Sequence, residues 1–286
     1  MYLSIILPAK NESAAIGITV KDIHQRFSGT ANMEVLVIND GSTDDTAKVA
    51  AAAGARVVNH PYSKGNGAAI KTGAREARGG ILVFMDADGQ HDPADISRLL
   101  NKLSEGYDMV VGARQKGSQA SIGRGLANGF YNRLASWMTG HKVEDLTSGF
   151  RAVRAEKFRE FLYLLPNGFS YPTTSTMVFF RVGYSVAYTP IHAARRIGKS
   201  HIRLLRDGTR FLLIIFKIGT LFSPLRIFAP VALLMFFLAT GWYGWTFYTM
   251  HKFTNMSALL YTGSVITFMM GLISEQITAL MYRGNE

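Results

Sequence analysis

Short unbroken apolar runs alternate with longer stretches of mixed polarity from the start of the chain to Gly112. Leu3–Leu7, Glu34–Ile38, Arg56–Asn59, Ile81–Met85 and Met109–Gly112 read as strands. Glu12–Phe27, Thr43–Ala53, Gly67–Arg78 and Asp92–Glu105 read as the helices between them. Continuous apolar strands separated by helices imply a mostly parallel sheet covered on both faces, an α/β architecture. Ligands of such sheets sit beyond the carboxyl ends of the strands. Those ends are Pro8–Glu12, Asn39–Asp44 and Asp86–Asp88, all polar, and one crevice could collect them. After Gly112 the pattern loosens. Gln115–Arg124 reads as a polar loop, Gly125–Met138 as a helix, Asp145–Arg154 as a turn and short strand, and Gly183–Tyr188 as another strand.

The polarity changes again toward the end of the chain. Ile227–Met250 carries no charge, and Ser257–Met281 carries only Glu275. Each is long enough to cross a bilayer, which takes about 20 apolar residues. Helices apolar on every face do not suit the surface of a soluble core. Both are therefore expected to be transmembrane helices. An acid at membrane depth is costly and faces a partner or a cavity. For Glu275 that means a helix–helix hydrogen bond, a lipid channel or a subunit contact. Gly241, Gly244, Gly263 and Gly271 would allow close helix packing.

The net charge of +11 is concentrated ahead of the first span, at Arg195, Arg196, Lys199, Arg203, Arg206, Arg210, Lys217 and Arg226. A basic cluster beside a span is attracted to anionic headgroups, so lipid is the expected partner and nucleic acid is not. The same bias orients the protein with both termini in the cytoplasm, since the loop His251–Met256 holds little charge. The N-terminus lacks the basic start and long apolar core of a signal peptide. Cysteine is absent, consistent with a cytosolic catalytic part. The expected organisation is a cytoplasmic catalytic domain at 1–204, a juxtamembrane amphipathic helix at 205–225 and two transmembrane helices at 226–282.

Asp86-Ala87-Asp88 carries the most pointed chemistry. In an extended segment residues i and i+2 face the same side, so both carboxylates could meet one cation. Oxygen ligands suit Mg²⁺ or Mn²⁺, and such ions bridge carboxylates to substrate phosphates. A solvated loop would also explain two acids. Other residues are similarly open: Glu12 as an ordinary helix start, Asp40 as part of an Asp-Gly-Ser turn, and His91 as a neutral residue capping the next helix. Lys64-Gly65-Asn66-Gly67 permits a close backbone approach but is not a Walker A loop.

Taken in order, Pro8-Ala-Lys-Asn-Glu12, Asn39-Asp-Gly-Ser-Thr-Asp44, Lys64-Gly-Asn-Gly67 and Asp86-Ala-Asp-Gly-Gln-His91 resemble the inverting family 2 glycosyltransferases of GT-A fold. Asp145-Leu-Thr-Ser-Gly-Phe-Arg151 and Arg195-Arg-Ile-Gly-Lys-Ser200 look like the dolichol-phosphate mannose synthase branch, the polyprenyl-phosphate sugar transferases. The resemblance runs from about Leu3 to Arg226. It implies that Pro8, Asn11 and Glu12 hold the base and ribose of a nucleotide-sugar, with Asp40 and Lys64 on the nucleotide side. It implies a metal at Asp86 and Asp88, with Gln90 beside it. Arg114 and Arg124 would grip the lipid phosphate, and Lys199 and Ser200, with Arg195 or Arg196, would close over the donor phosphates. Asp145 stands where many members put a general base. A phosphate acceptor already carries a nucleophilic oxygen, because its second pKa is about 6, so Asp145 is either a base or an orienting group. Asp145, Asp88 and Arg114 form the expected catalytic set.

The Gln-x-x-Arg-Trp signature of processive members is absent, which favours single-sugar transfer. The expected reaction moves one hexose from a UDP- or GDP-sugar to undecaprenyl or dolichyl phosphate at the inner leaflet. Members assemble through their spans, so a homo-oligomer, dimer or tetramer, is expected. A sugar nucleotidyltransferase is the alternative enzyme, but it opens with a Gly-rich loop where Pro-Ala-Lys-Asn-Glu stands here. A membrane scaffold or transport subunit is the non-enzymatic alternative.

Overall fold

The structure is a computed structural model. It describes every residue except 1, 30–31, 116–121, 169, 193–215, 217–218, 221–222 and 284–286, and the side chains of 122–127 and 281–283 are likewise outside the description. The chain forms two compact units, 1–203 and 204–286.

The first unit is a seven-stranded sheet with helices between its strands. The strands are β1 (Leu3–Ala9), β2 (Met33–Asn39), β3 (Arg56–Asn59), β4 (Ile81–Phe84), β5 (Met109–Arg114), β6 (Arg151–Arg154) and β7 (Val186–Ile191). Their order is β3-β2-β1-β4-β6-β5-β7. All pairs are parallel except those of β6, which runs antiparallel to both β4 and β5. The mostly parallel sheet read from the sequence is therefore present. β1 has β2 on one side and β4 on the other, the reversal of strand order that opens a ligand crevice in α/β sheets.

Helices α1 (Ser13–Arg26), α2 (Thr46–Ala52), α3 (Asn66–Glu76) and α4 (Ala94–Ser104) fall where the periodicity put them. Ile16, Val20 and Ile23 of α1 and Ile96, Leu99 and Leu103 of α4 are buried, the i, i+3/i+4 spacing of one apolar stripe. They cover a core of Ile5, Leu7, Val35, Val37, Val83 and Val110. α5 (Ile122–Thr139) begins three residues before the predicted start.

Two helices have no counterpart in the sequence reading: α6 (Ala155–Arg159) and α7 (Tyr171–Val182). α7 holds Thr173-Thr-Ser-Thr176, residues of poor helix propensity. The fold overrides this by burying the helix. Thr174, Ser175 and Thr176 donate their hydroxyls to the carbonyls of Ser170, Tyr171 and Pro172, so no buried hydroxyl of this run is left without a partner.

In the second unit, α8 (Pro224–Met250) and α9 (Asn255–Arg283) pair along their length as a hairpin. Their most apolar windows are only 11% and 17% buried, so their side chains face outward. This excludes the buried hairpin of a soluble core and suits lipid. A Cβ at Gly263 would meet Met235 Cε at 2.6 Å, and one at Gly271 would meet Phe228 Cβ at 2.8 Å. These two glycines therefore let the helices touch. Glu275 Oε2 accepts a hydrogen bond from the Leu225 backbone amide at 3.3 Å. That amide belongs to the first turn of α8, where amides have no intrahelical acceptor and the helix dipole favours negative charge. The membrane-depth acid thus ties α9 to the start of α8.

Lys64-Gly65-Asn66-Gly67 also has an explanation inside the fold. The Gly67 and Ala68 amides, in the first turn of α3, donate to the carbonyls of Gly168 and Asn167 at 3.1 and 3.0 Å. Gly65 has φ 101°, and a Cβ on Gly67 would overlap the carbonyl oxygen of Pro166. The close approach is between two segments of the same chain. Because backbone has nowhere to move, Gly67→Ala should destabilise by about 1–3 kcal/mol, the range for overpacking. Thermal unfolding of the purified variant measures it; an unchanged melting temperature would show that the 166–168 segment shifts freely.

Candidate active site

Three loops meet at the carboxyl ends of β1, β2 and β3, and their side chains interlock. Asn11, with φ 55°, is one of two non-glycine residues in left-handed backbone among the described residues. Its conformation is held from the second loop: the Asn11 amide donates to Ser42 Oγ at 3.0 Å, and Asn11 Oδ1 accepts from the Thr43 amide at 2.8 Å. The Glu12 amide donates to Thr46 Oγ1 at 2.9 Å. Asp44 accepts from the amides of Ser13 and Thr46 and from the Thr46 hydroxyl, so one carboxylate serves the starts of α1 and α2. Slight burial pushes its carboxyl up, but these bonds outweigh that and hold it at about 2.

Asp40 is the centre of the lock. Its oxygens accept from His60 Nδ1 at 2.7 Å, the Lys64 amide at 2.8 Å, Ser63 Oγ at 2.8 Å and the Gly65 amide at 2.9 Å. Four donors match the four lone-pair positions of a carboxylate. Burial raises its pKa, and the four bonds overcome this to leave it below the usual range. His60 passes the order inward, with Nε2 2.9 Å from Thr72 Oγ1 of α3. Lys10 Nζ donates to Ser63 Oγ at 2.9 Å, joining the first loop to the third. The sequence missed His60; an Asn-His-Pro after a strand offers no signal until Asp40 is seen beside it.

Asp86 and Asp88 follow β4, but not as an extended pair. The strand ends at Phe84, and Ala87-Asp88 forms a turn completed by Gly89 at φ 72°. The i, i+2 argument, which needs extended backbone, therefore does not describe how these two carboxylates are placed. The turn buries Asp88, whose Oδ1 accepts the Gln90 amide at 3.1 Å. It leaves the Asp86 side chain 37% exposed, with His91 Nε2 3.4 Å away. Among the described residues, no three His, Cys, Asp or Glu side chains converge as a complete cage. Two carboxylates at a crevice suit a hard dication that takes its remaining oxygens from water and a diphosphate, so the residues fit Mg²⁺ or Mn²⁺.

On the other side of β4 lies a buried ion pair. Arg114, the last residue of β5, donates Nε and Nη2 to Asp145 at 2.8 and 2.9 Å, and Nη2 also reaches Thr147 Oγ1. The Asp145 side chain is 7% exposed, and its oxygens also take the amides of Arg114, Thr147 and Ser148. Burial pushes its carboxyl up, but Arg114 and these amides hold it below the usual carboxylate range. The forked geometry fixes the guanidinium plane. Arg114 Nη1 has no hydrogen-bond partner among the described residues.

Arg124, expected in a loop, lies in the first turn of α5, and its side chain is outside the described residues. Lys199, Ser200, Arg195 and Arg196 also lie outside them. Pro8 is the penultimate residue of β1, in register with Ile38. A further charged residue emerges from the quoted motif: Arg151, on β6, is fully buried. It donates to the carbonyls of Ser148 and Pro172 and to the hydroxyls of Ser175 and Thr176, with the Tyr171 ring 5.7 Å from its guanidinium carbon.

This arrangement agrees with what the chain is similar to. Residues 4–162 match Glycosyl transferase family 2, and residues 223–280 match the GtrB C-terminal hairpin. The protein belongs to glycosyl transferase family 2, and its homologues are polyprenyl-phosphate sugar transferases. It is 31% identical over 234 residues to glycosyltransferase AglJ of Haloferax volcanii, covering 79% of this chain and 75% of that one. It is 29% identical over 208 residues to a dolichyl-phosphate hexose transferase of the same organism, covering 72% and 89%. It is 30% identical over 213 residues to the undecaprenyl-phosphate 4-deoxy-4-formamido-L-arabinose transferase of Klebsiella pneumoniae, covering 71% of this chain and 63% of the relative. The fold is GT-A-like. Glucosyl-3-phosphoglycerate synthase from Mycobacterium tuberculosis, solved with Mn²⁺, UDP and glucosyl-3-phosphoglycerate, superposes with a TM-score of 0.60 at 26% identity, covering 76% of this chain and 79% of that one.

The Arg114–Asp145 pair generates a prediction about stability. Removing one partner of a buried pair leaves the other charge uncompensated and costs about 3–5 kcal/mol at full burial. Asp145→Asn should therefore lower stability by somewhat less, because Arg114 is partly exposed. The sign with pH follows from a depressed folded pKa. The stabilisation is complete above the unfolded Asp value of about 3.9, and it disappears as pH falls through the lower folded value. Denaturant unfolding of wild type and Asp145→Asn across pH 2–8 (about the working range of such scans) should show curves that converge only at the acid end.

Proposed function

We propose that this protein transfers a single sugar, with inversion, from a nucleotide-sugar to polyprenyl phosphate on the cytoplasmic leaflet of the inner membrane. The observation that carries this reading is one sheet edge holding a diphosphate-side carboxylate pair, Asp86 and Asp88, next to a phosphate-side arginine, Arg114, in a chain with a membrane hairpin. Membership of the family decides against the nucleotidyltransferase and scaffold readings.

The residues divide the work. The locked loops around Asn11, Glu12 and Asp40 form the nucleoside wall, and Asp40 builds it from within because its own acceptor positions are filled. Asp86 and Asp88, with Gln90 beside them, would hold Mg²⁺ or Mn²⁺. That ion would neutralise charge developing on the departing nucleoside diphosphate. Arg114 offers Nη1 to the acceptor phosphate while Asp145 fixes its plane, so Asp145 serves as an orienting group. A carboxylate engaged with Arg114 and three amides is a poor base, and a phosphate dianion needs none. Arg124, Lys199 and Ser200 keep the phosphate-contacting roles that the resemblance implies.

The hairpin anchors the catalytic unit where the lipid phosphate lies. A Cβ at Gly241 or Gly244 of α8 would meet no other atom within 4 Å, unlike one at Gly263 or Gly271. That open surface favours a homo-oligomer, dimer or tetramer, built through α8.

The direct test is to incubate the purified protein with undecaprenyl phosphate, Mn²⁺ and a panel of UDP- and GDP-hexoses, then weigh the lipid product. One sugar should be added, and Asp88→Asn or excess EDTA should reduce the rate to background. Polymeric product, or full activity in EDTA, would defeat the proposal. Two finer outcomes follow. The acid limb of kcat/KM for the lipid should sit near the second phosphate pKa of about 6 and stay there in Asp145→Asn; a limb that vanishes in the variant would make Asp145 the base. In intact cells, the introduced thiol of Asn255→Cys should react with an impermeant reagent and that of Lys48→Cys should not. The reverse pattern would place the catalytic unit outside the cytoplasm.

A further inference from the structure

Gly149-Phe150-Arg151 is quoted by the resemblance, yet none of these three residues has a part in the chemistry above. The three lie around one side chain, Asp86: Gly149 against it, Phe150 through His91, and Arg151 beneath the segment. A Cβ built on Gly149 would stand 3.3 and 3.4 Å from the two Asp86 carboxylate oxygens and 3.1 Å from Tyr171 Oη. A methyl group there would press the Asp86 carboxylate or the Tyr171 hydroxyl aside by a few tenths of an ångström. The Gly149 backbone is held there by Tyr171, whose buried hydroxyl donates to the Gly149 carbonyl at 3.0 Å.

Phe150 acts on the opposite flank. Its ring lies 5.0 Å from the ring of His91, tilted by 32°. His91 is itself buried, and its Nε2 is the atom 3.4 Å from Asp86 Oδ2. The other ring nitrogen, Nδ1, is buried and has no hydrogen-bond partner. With Nδ1 unpartnered, Nε2 makes the ring's polar contact, at ion-pair distance from the carboxylate. Arg151 secures the segment from beneath. It binds the Ser148 carbonyl on one side and Pro172, Ser175 and Thr176 of α7 on the other. β6 pairs antiparallel with β4, Phe84 opposite Arg151, so the segment runs directly behind the turn that carries Asp86.

We propose that His91 and Gly149 are positioning residues that hold the Asp86 carboxylate from two sides, with Phe150, Tyr171 and Arg151 as their support, and so set the affinity of the site for its divalent ion. This rests on the reading of Asp86 as a metal ligand. Groups that orient metal ligands contribute about 10- to 100-fold in metal affinity. The histidine that the sequence reading set aside as a helix cap thus has a function without being a ligand.

The test uses the full-length protein in detergent with UDP present, and in a parallel series with GDP. Electron paramagnetic resonance of free Mn²⁺ gives the binding constant without turnover. His91→Phe keeps the ring on Phe150 and removes the nitrogen facing Asp86; Gly149→Ala adds the crowding methyl. Both should weaken Mn²⁺ binding about 10- to 100-fold while His91→Phe keeps the wild-type melting temperature. Asp86→Asn is the control for the underlying reading. If Asp86→Asn binds Mn²⁺ like wild type, the metal assignment fails, and this inference with it. If Asp86→Asn loses binding but His91→Phe retains it, the positioning role alone is overturned. A loss in His91→Phe as deep as in Asp86→Asn would make His91 a ligand, which also overturns it. Should Gly149→Ala fail to fold, His91→Phe decides the matter.

Discussion

β1 pairs in parallel with β2 on one side and β4 on the other, and the site depends on that pairing. Leu3 lies opposite both Met33 and Ile81, so the three strands start level. They therefore deliver their following loops to one edge of the sheet. The Asn11 loop, the Asp40 loop and the Asp86 turn become neighbours by register alone. The strands are buried on both faces, with Ile6, Leu36, Ile38, Leu82 and Phe84 opposite the residues of the other face, so a slip would mispack two close-packed layers at once. The burial of Ile5, Leu7, Val35, Val37 and Val83 thus fixes the register and, through it, the site.

The buried charges of the catalytic unit are held by several hydrogen bonds each, though Arg151 keeps one buried nitrogen, Nε, without a partner. Asp40 has four donors, Asp145 has Arg114 and three amides, and Arg151 has carbonyls and hydroxyls in place of a carboxylate. Unpaired, any of them would cost several kcal/mol. Engagement also stiffens the crevice, because each of these groups ties two chain segments together. Binding a diphosphate and a phosphate side by side needs such stiffness, since both ligands are negative and repel. Asp86 adds a weaker attraction on Arg114 than Asp145 does.

The hairpin solves a different problem with related means. Two apolar helices in lipid gain nothing from hydrophobic contact with each other, so close packing and polar ties must hold them. Gly263 and Gly271 provide the first. Glu275 on the Leu225 amide, Ser264 on the Ala232 carbonyl and Thr240 with Tyr261 provide the second.

The sequence by itself determined the α/β alternation, the membrane hairpin, the family and most candidate residues. Those signals are local: an apolar run of given length, a periodic stripe, a short motif before a helix. Contacts between distant segments were decided only by tertiary structure. The sequence could not show what Gly67 packs against, because its partner, the 166–168 carbonyls, lies a hundred positions away in the chain. Asp86 and Asp88 stood out as candidates, but the turn that separates their exposure depends on where β4 stops. α7 escaped notice because burial, not propensity, makes it a helix. His60 escaped, and His91 was read as a helix cap, because a histidine acquires meaning only from what its ring nitrogens face. Here those are carboxylates, Asp40 and Asp86, brought to them by the folding of the sheet.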